Sequence, residues 1–78
     1  MKATVAVLGF LLSGKECKEL EYLLRRELEE MLLDLNDRRL DSVVRRAIED
    51  RYAVIFRLYA RIAPPQELAR YARKRMTH

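Results

Sequence analysis

The chain reads as a mainly α protein: two long antiparallel amphipathic helices forming a hairpin, then a short C-terminal helix. A short N-terminal β-strand precedes them and is expected to pair across a homodimer. Three observations predict this architecture. Apolar residues recur every three or four positions from Cys17 to Ile62, the spacing that lines one face of an α-helix. Pro64-Pro65 interrupts that pattern, because the residue before a proline is driven out of the helical region. Only residues 3–8, ATVAVL, combine β-branched residues with strand-like alternation, so the chain offers one strand and no second strand to pair with it.

Each element has its own justification. Thr4 and Ala6 alternate with Val5 and Val7 in the strand, which ends near Gly9; Val and Thr are weak helix formers. Ser13-Gly-Lys-Glu16 has the form of a capping box, with Ser13 as N-cap and Glu16 three residues on. A helix over about 14–35 follows. Its stripe is Cys17, Leu20, Leu24, Leu28, Met31 and Leu35, thickened by Leu23 and Leu32. Asn36-Asp37 marks the joint, with Asp37 or Asp41 as the next cap. The second helix, about 38–63, carries Leu40, Val44, Ala47, Ile48, Ile55, Leu58 and Ile62. Pro65 then suits the first position of a third helix over about 65–75, with Leu68, Tyr71 and Ala72 inward.

At 78 residues the chain is one domain, near the lower limit at which a single core suffices. Chains this short add disulfides, a metal or oligomerisation. Cys17 is the single cysteine and His78 the single histidine, which leaves oligomerisation. A lone thiol also fits a reducing, cytoplasmic setting. The apolar run in MKATVAVLGFLL is followed by SGKECKE. That continuation lacks the small-residue cleavage site of a secretory signal, and the run is too short to span a bilayer. No membrane partner is expected.

The formal charge of +4 is unevenly spread. Residues 1–36 carry five basic and seven acidic side chains, and residues 37–78 eleven basic and five acidic. Such halves attract each other in an antiparallel pair. Two segments look duplicated, LLRRELEE at 23–30 and VVRRAIED at 43–50. In each, both arginines have an acid four residues on: Arg25 with Glu29, Arg26 with Glu30, Arg45 with Glu49, Arg46 with Asp50. These read as ion pairs on solvated helix faces.

Residues 52–63, YAVIFRLYARIA, depart from a simple amphipathic pattern. Their apolar side chains cover most of the helix circumference, more than one facing helix is expected to shield. The predicted oligomer interface therefore combines Val5, Val7, Leu8 and Phe10 of the N-terminal segment with Tyr52, Ile55, Phe56, Tyr59 and Ile62.

Catalysis is not expected. No histidine stands within the helical region, and Glu27, Glu29, Glu30 and Asp34 lie on a face flanked by arginines. Glu27 and Asp34 fall beside Met31 and Leu35 but supply too few ligands for a metal. Cys17 sits near a helix start, yet it occupies a stripe position and has no base to activate it. LSGKE lacks phosphate-loop spacing. No catalytic residue, metal or cofactor is predicted.

The leading expectation is a small helical module that binds copies of itself, and through its surface another protein. The second is nucleic-acid binding. Lys2, Thr4 and Ala6 share one face of the strand, and two helices follow in a basic chain. Over roughly residues 2–55 this element order resembles the ribbon-helix-helix family. The resemblance implies paired strands in the DNA major groove, with these three residues in the base-reading places and the helices as dimer core. The chain differs from that pattern in its alanine reader, its long first helix and the absence of an inter-helix glycine. Arg70, Arg73, Lys74 and Arg75 around Tyr71 form a second cationic cluster suited to phosphates.

Overall fold

Ser13 starts the first helix as its chemistry demands. In the computed structural model, which describes residues 6–72, α1 runs over Gly14–Leu35. The Ser13 hydroxyl accepts from the Glu16 N–H at 3.2 Å, and the Ser13 N–H donates to Glu16 Oε1 at 2.9 Å. Two of the helix's orphan donors are thus satisfied reciprocally. Leu24, Leu28, Met31 and Leu35 are buried along the expected stripe, while Leu23 is exposed. Residues 6–12 carry no regular secondary structure. Of the strand predicted at 3–8, residues 3–5 lie outside the described residues.

The joint after α1 is built without glycine. Asn36 caps α1 and the Asp37 N–H donates to the Asp34 carbonyl at 3.1 Å. The Asp37 carboxylate accepts from the Arg39 N–H at 2.9 Å, a bond that holds its pKa below the usual carboxylate value. Asp41, not Asp37, then caps the second helix, accepting from the N–H groups of Val43 and Val44. From the first turns of that helix Arg45 reaches back and donates to the carbonyls of Leu35 at 2.6 Å and Asp37 at 2.8 Å. A helix end leaves its last carbonyls without intrahelical partners, and a guanidinium fork satisfies two of them together. The chain needs no left-handed cap residue here, and none of its described residues has a positive φ.

The second helix, α2, spans Ser42–Tyr59, shorter than the predicted 38–63 at both ends. At its start the Asp37–Asp41 turn takes the first residues. At its end Arg61 and Ile62 donate three residues back, to Leu58 and Tyr59, a tightening that winds the chain down ahead of Pro64. The short α3, Pro65–Tyr71, begins at a proline as predicted.

The seam of α2 differs from the expected one. Its buried residues are Tyr52 and Tyr59, with Ile48, Ile55, Phe56 and Ile62 packed beside them. Val44, Ala47 and Leu58, expected inward, are exposed. The real stripe, 48-52-55-59-62, alternates steps of four and three, and tyrosines occupy two of its places. A tyrosine can lie in a core when its hydroxyl finds a partner, and weighing it as half-polar hides the periodicity. Tyr71 of α3 completes the cluster with Leu24, Leu28 and Met31. Its ring meets that of Tyr59 edge-on, 5.8 Å between centroids at 87°, a geometry that adds about 0.5–1.5 kcal/mol beyond burial. The Tyr52 hydroxyl donates to the Tyr71 carbonyl at 2.7 Å, tying the end of α3 to the middle of α2.

Candidate interaction surface

The two halves of the predicted interface have different fates. Tyr52 and Tyr59 are buried inside the single chain, and Ile55, Phe56 and Ile62 are half-buried. Within residues 52–63, Val54 is 55% and Leu58 39% exposed, so part of this apolar circumference stays uncovered by the chain's other segments. α1 covers one side of α2, and Tyr71 of the short α3 lies against Tyr59. The N-terminal half is the opposite. Val7 is 87% exposed, Leu8 88% and Phe10 75%. Leu11, which the sequence reading omitted, is 98% exposed. Val5 lies outside the described residues.

A groove of about 390 Å³ opens between α1 and α2 at the hairpin's closed end. Met31, Val43, Val44, Ala47 and Ile48 give it an apolar floor. Glu27, Glu30 and Asp34, at i, i+3 and i+7 of α1, put carboxylates along its rim. Glu27 and Asp34 thus stand beside Met31, as their spacing suggested, and they face a groove. Arg51 spans the helices at one end, 2.7 Å from Glu27 and 3.7 Å from the Met31 sulfur. Val43 and Val44 are exposed, so this floor, built by both helices, is open to solvent.

No family model, curated protein or solved structure matches this chain. Its reading rests on its own side chains.

Several of its polar side chains are engaged in holding the fold. The Tyr71 hydroxyl donates to Glu29, and burial together with that carboxylate pushes the Tyr71 pKa up to about 12. Arg25 pairs with Glu21 at 3.5 Å and lies over the Tyr22 ring at 5.8 Å. The Tyr59 hydroxyl is buried with no hydrogen-bond partner among the described residues. The Arg25 pKa is raised, chiefly by this hydroxyl. Cys17 is a half-buried thiol, and among the described residues no three metal-ligating side chains gather. Of the predicted nucleic-acid contacts, Arg70 pairs with Glu67 at 3.5 Å and sits 6.0 Å from the centre of the Tyr71 ring. Lys2, Thr4, Arg73, Lys74 and Arg75 lie outside the described residues. No described helix is long and apolar enough to cross a membrane.

Proposed function

We propose that this protein is a small non-enzymatic interaction module that works as a homo-oligomer assembled through its N-terminal apolar segment. The observation that carries the reading is the exposure of Val7, Leu8, Phe10 and Leu11, each at 75% or more within a five-residue stretch. Burying a side chain of this kind is worth about 1.5–3 kcal/mol, so the stretch holds several kilocalories that the isolated chain leaves unused. Contiguous exposed apolar surface of this sort marks association sites. Glu16, Asp41, Glu27 and Glu29 serve as caps, an ion pair and an acceptor, a use of carboxylates that fits a scaffold better than a catalyst.

Sedimentation equilibrium tests this directly. At tens of micromolar the chain is expected to run at twice the 9.3 kDa chain mass or more, and deletion of residues 6–12 is expected to give a monomer of unchanged helicity. A full-length chain that remains monomeric at hundreds of micromolar refutes the reading.

A further inference from the structure

The exposed segment and the groove match each other in polarity, charge and size. Val7, Leu8, Phe10 and Leu11 present apolar side chains, and Met31, Val44, Ala47 and Ile48 an apolar floor. The first fifteen residues hold Lys2 and Lys15 and no acid, whereas the groove's rim is acidic. Arg51 pairs with Glu27 and Arg26 with Glu30, which leaves Asp34 as the rim carboxylate best placed to meet an incoming cation. At about 390 Å³ the groove lies at the low end of the range that encloses small ligands, roughly 300–1,000 Å³. It suits a short row of side chains and is too small for a helix.

Chain length limits which copy can supply Phe10 and Leu11, and the exposure of Val7 and Leu8 shows that they do not fill their own groove. Phe10 is four residues from the start of α1, a reach of at most about 14 Å when fully extended. Glu27, the groove residue of α1 nearest its start, lies thirteen residues along the helix, about 20 Å at the helical rise. Phe10 and Leu11 fall short of their own groove. We infer that the α1–α2 groove is the receptor for residues Val7–Leu11 of a second copy, so that copies associate by inserting this segment and not by pairing like segments. The inference rests on the homo-oligomer reading and names its two surfaces.

The test uses full-length chains carrying Cys17→Ser. Copies bearing Phe10→Cys are mixed under mild oxidation with copies bearing Ala47→Cys. A disulfide between positions 10 and 47 of different copies is the expected product. Cross-linking between two position-10 thiols, with none to position 47, overturns the groove assignment while leaving the homo-oligomer intact. In parallel, Ala47→Arg, at an exposed site on the groove floor, is expected to weaken association at least about tenfold with helicity unchanged. Ala53→Arg, exposed on α2 away from the groove, is expected to leave it unchanged, and Asp34→Lys to weaken it by a smaller factor. Equal association of all three variants and the parent overturns the inference. A parent chain that is monomeric throughout removes the homo-oligomer reading together with it.

Discussion

LLRRELEE and VVRRAIED are nearly the same phrase written on two helices, and the fold uses their arginines differently. The second arginine of each does what the spacing promises: Arg26 pairs with Glu30 at 3.4 Å and Arg46 with Asp50 at 3.7 Å, both exposed. The first arginines turn toward the protein. Arg25 pairs backward with Glu21, because Glu29, its expected partner, accepts from Tyr71. Arg45 donates to two backbone carbonyls at the end of α1. Adjacent residues on a helix point about 100° apart, so one member of any such pair flanks the core when the other faces water. The local pattern could not say which member, since every one of the four has an acid at i+4. Tertiary position decided it.

The sharpest way to break this contrast is Arg45→Ala. It removes two charge-assisted bonds and strands the Leu35 and Asp37 carbonyls in a partly buried turn. Hydrogen bonds to charged groups are worth about 1.5–3 kcal/mol each; with water able to reach the vacated turn, the expected loss is about 2–3 kcal/mol, a fall in Tm on the order of 10 °C. Arg45→Lys is expected to recover less than half, because a single ammonium cannot span two carbonyls as a fork does. Thermal unfolding followed by circular dichroism measures both. Equal stability of Arg45→Ala and the parent would show that the turn holds without its guanidinium.

How much of this was legible beforehand follows the same division between local and tertiary information. The start and span of α1 were readable, because a capping box and an aliphatic stripe are local signals. So was the proline-started α3. The seam of α2 differs from the expected one because Tyr52 and Tyr59 bury their rings against Leu24, Leu28 and Met31 of α1 together with α3, which supplies the Tyr71 carbonyl and the Tyr71 ring. The exposed apolar segment was partly visible, as Val7, Leu8 and Phe10 were anticipated and Leu11 was not. The groove was not visible, since its floor joins α1 to α2 and requires Val44 and Ala47 to be rotated out of the core.

Tyr52→Phe probes the middle of α2, where a tyrosine ties down the end of α3 as Arg45 ties down the end of α1. It keeps the ring and deletes the buried bond to Tyr71, stranding that carbonyl; a loss of about 1–2 kcal/mol is expected. Amide hydrogen exchange should show the loss concentrated in α3. Uniform deprotection along the chain would instead mean that α3 does not depend on this bond.

The Tyr71 contact carries an alkaline pH dependence, whereas the turn, where the Arg39 N–H holds the Asp37 pKa down, carries an acidic one. Folding raises the Tyr71 pKa from about 10 to about 12, chiefly through burial, with the Glu29 carboxylate adding to it. Below pH about 10 tyrosine is neutral in both states and the contribution is fully present. As pH rises toward 12 the unfolded chain releases this proton and the folded chain keeps it. Stability therefore falls, by at most about 1.4 kcal/mol per pH unit, and by less here because Glu29 is exposed. Urea unfolding at several alkaline pH values should show a steeper decline for the parent than for Tyr71→Phe. Identical slopes would place the hydroxyl in water.

The smallest expected effects belong to the arginines that obeyed the sequence. Arg26→Ala and Arg46→Ala each delete an exposed pair, and such pairs contribute about 0–1 kcal/mol, near 0.3–0.5 at helical i,i+4 spacing. Each variant should fall within about 0.5 kcal/mol of the parent, and the residual difference should shrink further in molar salt. A double-mutant cycle between Arg46 and Asp50 is expected to give a coupling of a few tenths of a kilocalorie. The Arg45 effect should persist in the same salt, because its acceptors are backbone carbonyls at a half-buried turn and not a screened carboxylate. If Arg46→Ala proved as damaging as Arg45→Ala, the division of each pair into an inward and a solvated member would be wrong. The two phrases would then be alike in function as well as in letters.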